Sequence, residues 1–528
     1  MVKLSLAPVI LLASCGGRAL PRGGAGVFST AACGTHQESF TLQLAREVDL
    51  LFVIDNSETM AGEQDQLQGR FDAMIGALAD MPGGFPDTHI GVISTDLGTG
   101  PYATEQCETI GGDAGRLQAA PQGDCAPPGD AYIRVAGTGT ALEGNVADVG
   151  GPGGIDLGDV QAAFRCIALL GTDGCRFEQP LEAARTALRC DESVCPNPSF
   201  LRPDSLLVVV FLGDEDDCSA SDPDFFDPTQ NSASEPLGYF SGFRCFEFGV
   251  ECEEPILRTG GQALHACAPD PASAYLHPIE SYRDFFSALR PHGLMLLTAI
   301  TGPYRAGDVV HTERSGEGPV VNPSCQGAGD SSAYPAIRIH DLVRRFESDG
   351  LVLADETDAG ICGDDLGPAL QRIGEAIRGR VSPGCLLRPL VRADDRGDPQ
   401  PVDSPEEASC AVTETVSGTT ITRERCAFES EAPTACSAAE ASPGALASSS
   451  SVPCWYLCDA GPPSAGGCAY RWEIRFCRDA ACQELPPDPA DVRVTAECQS
   501  CEPGELCGDG RCQDSLGETE ESCADDCL

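Results

Sequence analysis

Asp55, Ser57 and Thr59 stand at alternate positions directly after an apolar run, Val48–Ile54. Asp214 follows a second such run, Leu206–Leu212, by one glycine. Two carboxylates at the ends of buried strands, with two hydroxyls beside one of them, make an all-oxygen donor set. That chemistry suits a hard divalent cation, since Mg²⁺ takes six oxygens in a near-octahedral shell and often keeps waters. Alternate spacing sends Ser57 and Thr59 the same way and turns Asn56 and Glu58 outward.

The elements that would position these groups can be read from hydrophobic period. Val48–Ile54 is apolar apart from Asp49, the pattern of a central parallel strand covered on both faces. Leu67, Phe71, Met74, Ile75 and Leu78 recur at helical spacing across residues 64–80, and Pro82-Gly83-Gly84 ends that helix. His89–Ser94 predicts a second strand, and Tyr132–Val135 a short third one returning antiparallel at the sheet edge. The Gly-rich excursion between them carries Cys107 and Cys125 and reads as a stapled loop. Leu181–Arg189 is a helix, Leu206–Leu212 the strongest buried strand, and a long acidic loop runs to about residue 275. A helix at Ile279–Arg290, a strand at Leu294–Thr301, a helix at Arg338–Glu347, a short strand at Leu351–Ala354 and a helix at Leu366–Ile377 follow. This alternation predicts an α/β, doubly wound, mostly parallel six-stranded sheet with one antiparallel edge pair. Ligands of such sheets gather beyond the carboxyl ends of the strands, where strand order reverses. Asp55 and Asp214 are therefore expected side by side.

The turn Asp55-Asn56-Ser57-Glu58-Thr59 resembles the metal-ion-dependent adhesion site of von Willebrand factor A domains, whose first signature is Asp-x-Ser-x-Ser. The resemblance covers roughly residues 48–380. It implies a Rossmann-like sheet and a site in which the two hydroxyls bind the metal directly and the aspartates often act through water. It also implies a threonine from another loop and an open position taken by an acidic side chain of a protein partner. Asp55, Ser57, Thr59 and Asp214 match that pattern, with Thr59 where serine is usual and Glu58 where the residue is often small. Gly171-Thr172-Asp173-Gly174 resembles the family's Gly-Thr-Asn-x-Gly pattern and makes Thr172 the fifth candidate ligand. It stands further from the following helix than is usual, with Cys175 in the gap. The implied cofactor is Mg²⁺, with Mn²⁺ or Ca²⁺ as alternatives. An A-domain scaffold with an empty site, or a polar turn that merely caps a helix, would show the same turn.

Other clusters are less specific. Asp214–Asp217 with Ser219, Ser221, Asp222 and Asp224 could hold Ca²⁺ but lacks the regular loop spacing, and a solvated loop pinned by Cys218 explains it as well. Asp509, Glu518, Asp525 and Asp526 in the tail invite the same two readings. No His-Glu-x-x-His, Gly-x-Ser-x-Gly or phosphate loop is present, and the seven histidines show no paired spacing.

At 528 residues the chain is long for one domain, and its net charge of −47 argues against nucleic acid, which needs clustered cations. The 29 cysteines place it outside reducing compartments and read as disulfides rather than zinc ligands. Met1-Val2-Lys3 followed by the apolar Leu4–Leu12 reads as a signal peptide, too short to span a membrane. Leu12-Ala13-Ser14-Cys15 resembles a bacterial lipobox, which implies cleavage before Cys15 and a lipid on it; a plain signal peptide is the alternative. Removing Cys15 leaves an even number of cysteines. Beyond Pro383-Gly384-Cys385 the alternation stops. Ala411–Val416 and Thr419–Arg425 read as a hairpin, with further strands at Tyr470–Cys477 and Val492–Cys498.

The expected layout is a signal peptide at 1–14, a lipid-anchored linker at 15–47 closed by a short strand at Ser39–Leu44, and an A domain with long disulfide-stapled insertions at 48–385. A small disulfide-rich β domain at 386–497 and a short Cys-rich tail at 498–528 complete it. The expected function is non-enzymatic: a bacterial envelope lipoprotein, facing periplasm or exterior. It would bind a protein ligand that presents an acidic side chain, and touch the membrane through its lipid alone. A structural lipoprotein with a metal-free scaffold is the second reading, and a secreted hydrolase with an unrecognised triad the third.

Overall fold

A computed structural model describes residues 33–501 apart from short intervals, the longest being 353–360, 437–445, 461–470 and 483–492. The expected signal peptide at 1–14, Cys15 and the acidic tail lie outside the described residues. Among those described, no helix is long and apolar enough to cross a membrane.

The elements in chain order are β1 (Cys33–Thr41), β2 (Glu47–Ile54), α1 (Ala61–Ala79), β3 (Asp87–Ser94), β4 (Ile133–Thr138) and β5 (Ala141–Gly144). Next come α2 (Leu157–Ala168), α3 (Pro180–Leu188), β6 (Leu206–Leu212), α4 (Phe243–Gly249) and α5 (Ile279–Leu289). The strand Met295–Ile300, α6 (Ile337–Arg344), the strand Gly350–Val352 and α7 (Gly367–Val381) complete the α/β unit. The sheet order is 350–352, 295–300, β6, β2, β3, β4, β5. β2 lies parallel to β3 and β6, and 295–300 parallel to β6 and 350–352. β4 returns antiparallel to β3, as expected, but the edge is β5, a seventh strand, antiparallel to β4. Ala141–Gly144 is mostly exposed, so it carries no buried apolar pattern by which a sequence reading could find it.

Alternation along β2 splits the core. Leu50, Phe52 and Ile54 pack with residues of α1, α2 and α7, whereas Leu51 and Val53 pack with residues of α3, α5 and α6. The rings of Phe52, Phe71 and Phe164 meet on the first face, with Phe71 and Phe164 stacked at 3.7 Å between centroids. Each such buried side chain stabilises the fold by about 1.5–3 kcal/mol. α2 was not anticipated, because the Gly-rich run before it reads as loop. It begins in a capping box between Asp156 and Asp159.

Asp49, the polar exception in β2, is fully buried and takes bonds from Arg202 N (2.7 Å) and Nε (2.8 Å) and from Ser205 Oγ. It closes the amino end of the sheet, opposite the candidate site.

The predicted hairpin forms as Cys410–Val416 with Thr419–Arg423 and pairs with a strand at Arg493–Cys501. The other neighbour of that strand is β1, antiparallel from Cys33↔Cys501 to Thr41↔Arg493. This corrects two expectations. Residues 33–41 are a strand of the C-terminal sheet, overlapping the strand expected at Ser39–Leu44 but beginning six residues earlier, and one strand runs across the boundary placed at 498. Only its end, where Phe40 starts the alternation Phe40, Leu42, Leu44, carries a local signal; Cys33–Glu38 lacks one, and its partner lies at the far end of the chain.

The cysteines of the Gly-rich excursion are not joined to each other. Cys125 bonds Cys166 in α2, and Cys107 bonds Cys175 beside the Thr172 loop.

Candidate metal centre

β2 and β6 end level: Ile54 pairs with Leu212, and Asp55 N donates to Leu212 O (2.9 Å). Asp55 and Asp214 therefore arrive together, as the doubly wound order predicts. Asp55 is buried, and its Oδ1 accepts from Ser57 N (2.7 Å), which folds the turn back on itself. Ser57 Oγ and Thr59 Oγ1 lie 3.4 Å apart, so the two hydroxyls do point the same way. The Thr59 hydroxyl also hydrogen-bonds the Asp214 carboxyl.

Asn56 does not point outward. It is buried, its carbonyl accepts from Gly174 N (2.9 Å), and its side chain fills the space a Cβ on Gly174 would need. The Thr172 loop thus rests on the Asp55 turn. Gln64, buried in α1, fastens the two further. Its Nε2 donates to Asp55 O (3.0 Å) and Gly171 O (2.9 Å), and its Oε1 accepts from Leu170 N (2.9 Å) and Gly171 N (3.2 Å). The Cys107–Cys175 bond closes a separation of 68 residues, worth about 4 kcal/mol in the chain-entropy picture. Thr172 lines the same cleft as Ser57 and Thr59, a space of about 890 Å³.

Burial, and then the charge of Asp214, push the Asp55 carboxyl up to about 8. Burial raises Asp214 as well. Glu215 is pushed up to about 8 by burial and by the charges of Asp214 and Asp55, against a lowering effect from Arg176. Behind them, burial and the Asp55 charge hold Glu178 well above the carboxylate range, and the Thr95 hydroxyl donates to it. Sequence reasoning missed Gln64, Glu178 and Glu215. Glu215 stood inside a noted acidic run, but Gln64 and Glu178 carry no pattern of their own.

Asp55 Oδ2, Asp214 Oδ1 and Glu178 Oε1 are buried and meet no N–H or hydroxyl donor, and the Asp55 and Asp214 carboxyls face each other closely enough to share a proton. Buried carboxyl oxygens without donors are costly unless protonated or paired with a cation. The donors present, carboxyl and hydroxyl oxygens, suit a hard divalent ion.

The rest of the acidic run divides: Asp217 and Ser219 are buried, whereas Ser221 and Asp224 are exposed. Asp216 caps α6, accepting from Arg338 N (3.0 Å) and Ile339 N (3.2 Å). Asp217 is buried against Arg338 Nε (3.1 Å) and Leu181 N (3.2 Å), and Asp222 caps a turn through Asp224 N (3.0 Å). Cys218 does pin the segment, to Cys245 in α4. Elsewhere among the described residues, Cys426, Cys454 and Cys477 converge, as do Cys436, Cys458 and Glu473, but those sulfurs are in disulfides.

By strand order and by the turn that ends its central strand, the α/β unit is von Willebrand factor A-like. No family model and no curated relative matches the chain. Among solved structures it is similar to a von Willebrand factor type A protein from Catenulispora acidiphila, at 10% identity over 91% of this chain and 68% of that one, with a TM-score of 0.27. It is also similar to a pilus adhesin from Lactobacillus rhamnosus GG, at 8% identity over 90% of this chain and 43% of that one, with a TM-score of 0.25. Overlays this loose do not speak to function.

Proposed function

We propose that this protein binds a protein ligand through a divalent cation, Mg²⁺ first, held by Asp55, Ser57, Thr59 and Asp214 with Thr172 from the facing loop. The observation that carries the reading is the pair of buried carboxyls Asp55 and Asp214, facing each other with no N–H or hydroxyl on Asp55 Oδ2 or Asp214 Oδ1, beside two aligned hydroxyls at the mouth of a cleft. The metal supplies positive charge and an open coordination position when bound. The chain's own groups orient it: Ser57 N fixes Asp55, Thr59 fixes Asp214, and Gln64 holds the Thr172 loop over the turn. An acidic side chain of the partner would take the open position. The cysteine content and the Cys15 motif place the protein, in this reading, as a lipid-anchored component of a bacterial envelope.

Calorimetric titration of Mg²⁺ or Mn²⁺ into EDTA-stripped protein tests the site. Saturable binding that disappears in Asp55→Ala supports it, and absence of binding at millimolar metal sinks it. The second reading, a metal-free scaffold, draws on one observation: with its carboxyl pushed up to about 8, Asp55 is neutral at pH 7 when no cation is near. The same titration separates the two. Fatty-acid labelling of wild type and Cys15→Ala tests the anchor, and label retained by the variant would refute it.

A further inference from the structure

Far from the metal edge, three disulfides of the C-terminal region pack in one cluster: Cys426–Cys454, Cys436–Cys458 and Cys477–Cys482. The sulfurs of Cys426, Cys454 and Cys477 all lie within 4.8 Å of one another. Strand register brings them there. The strands Cys454–Asp459 and Trp472–Cys477 pair antiparallel, and Cys454 stands directly opposite Cys477. Each is nevertheless bonded elsewhere, Cys454 to Cys426 across a separation of 28 residues and Cys477 to Cys482 across five. Residues opposite each other in an antiparallel pair are roughly 4.5–5.5 Å apart at Cα, inside the roughly 4.4–6.8 Å that a disulfide spans. The same backbone therefore accommodates a Cys454–Cys477 bond. Cys458 faces Glu473 across the ladder instead, so the third disulfide has no sulfur opposite it.

Burial sets the point of entry. Cys454 and Cys477 are fully buried and Cys482 nearly so, whereas Cys426 is partly buried. Cys426 N donates to Trp455 O (2.7 Å), and the Arg425 guanidinium stacks over the Trp455 ring at 5.1 Å. These contacts hold the segment in place when its disulfide opens.

We propose that Cys426–Cys454 and Cys477–Cys482 form a thiol-exchange site, entered at Cys426 by a small-molecule thiol. The entering thiolate attacks Cys426 Sγ; a bond forms between the two sulfurs, the Cys426–Cys454 bond breaks, and Cys454 leaves as thiolate. A thiolate buried among apolar groups is costly, and Cys477 Sγ lies within reach of it. Cys454 attacks that sulfur, the Cys477–Cys482 bond breaks, and Cys482 takes up the proton that the entering thiol lost. Two disulfides are consumed and two are made, so the exchange needs neither oxidant nor reductant. The products are a mixed disulfide on Cys426, a covalent rung across the paired strands and a free thiol on Cys482.

The probe is reduced glutathione at millimolar concentration and about pH 8, where a thiol with the ordinary pKa near 8.5 is partly ionised. The full chain is incubated under native conditions, quenched with N-ethylmaleimide and mapped as peptides without reduction. The expected map carries a Cys454–Cys477 link, glutathione on Cys426 and maleimide on Cys482. The two native links should fall together, and Cys436–Cys458 should stay intact. Loss of Cys426–Cys454 with Cys477–Cys482 retained is simple reduction and overturns the proposal, as does a chain that does not react. Opening of Cys436–Cys458 in step with the others overturns it too, since general unfolding would then explain the map. Cys482→Ser tests the second step by itself. Cys477, left without its partner, should attack Cys454 and leave Cys426 as the free thiol with no glutathione added. A folded variant that keeps Cys426–Cys454 beside a free Cys477 refutes that step; if the variant does not fold, the wild-type map decides.

Discussion

Gln64 and Gly171, 107 residues apart, exchange a reciprocal pair of hydrogen bonds, amide to carbonyl and carbonyl to amide, at 2.9 and 3.2 Å. A side chain here imitates a strand neighbour and ties the Thr172 loop to the turn after β2. Gln64→Leu keeps the volume but leaves Asp55 O, Gly171 O and two N–H groups without partners. We expect a loss of stability of about 1–3 kcal/mol and a weaker Mg²⁺ affinity, read by thermal denaturation and calorimetry. Unchanged affinity would mean that the loop does not contribute to the site.

Asp55→Ala should remove metal binding without unfolding the protein, because the turn lies at the sheet edge and the core beneath it is complete. In wild type, metal at about 100 times its dissociation constant should stabilise by about 2.7 kcal/mol. That shift should vanish in the variant. A shift of equal size in both proteins would place the metal elsewhere.

The raised carboxyls make a signed prediction about pH. Asp55, at about 8, binds its proton more tightly folded than unfolded. Between its unfolded value near 4 and its folded value the native state holds more protons, so stability falls as pH rises through that window. Metal-free protein should melt at a progressively lower temperature from pH 5 to pH 8.5, and Asp55→Asn should flatten the trend. Mg²⁺ binding must expel the proton, so affinity should rise over the same range, with proton release visible as buffer-dependent heat.

Arg338 is buried and pairs with Asp217, itself buried. Arg338→Met leaves that carboxylate unpaired and should cost about 3–5 kcal/mol. The double variant Arg338→Met/Asp217→Leu should recover much of the loss in a denaturant titration; no recovery would mean that the pair's role is packing rather than charge.

A chain beginning at residue 47 should keep the α/β unit and lose part of the C-terminal sheet. Deleting β1 uncovers one edge of the strand Arg493–Cys501. The measurement is amide exchange across 493–501, which should quicken in the truncated protein. Equal protection in both proteins would contradict the pairing.

How much was legible follows from where each signal lives. Val48–Ile54 and Leu206–Leu212 announce buried strands by composition, and the doubly wound order makes them neighbours, so Asp55 and Asp214 could be paired before any coordinates. Ser57 and Thr59 followed from spacing. Asn56 did not: alternation sent it outward, but the Thr172 loop packs over the turn and buries it. Gln64 looks like an ordinary helical polar residue, and only a contact from residues 170–171 gives it a role. Disulfide partners such as Cys107 and Cys175 cannot be assigned from spacing, and only the end of β1, at Ser39–Thr41, carried an apolar rhythm.

The pairing of β1 with Arg493–Cys501 also orders the assembly of the molecule. Nine register pairs, from Cys33↔Cys501 to Thr41↔Arg493, join segments at opposite ends of the described chain. β1 must therefore wait for residues 493–501 to be made, whereas every strand of the α/β unit is complete by Val352. The α/β unit can form during synthesis, and the C-terminal sheet closes last.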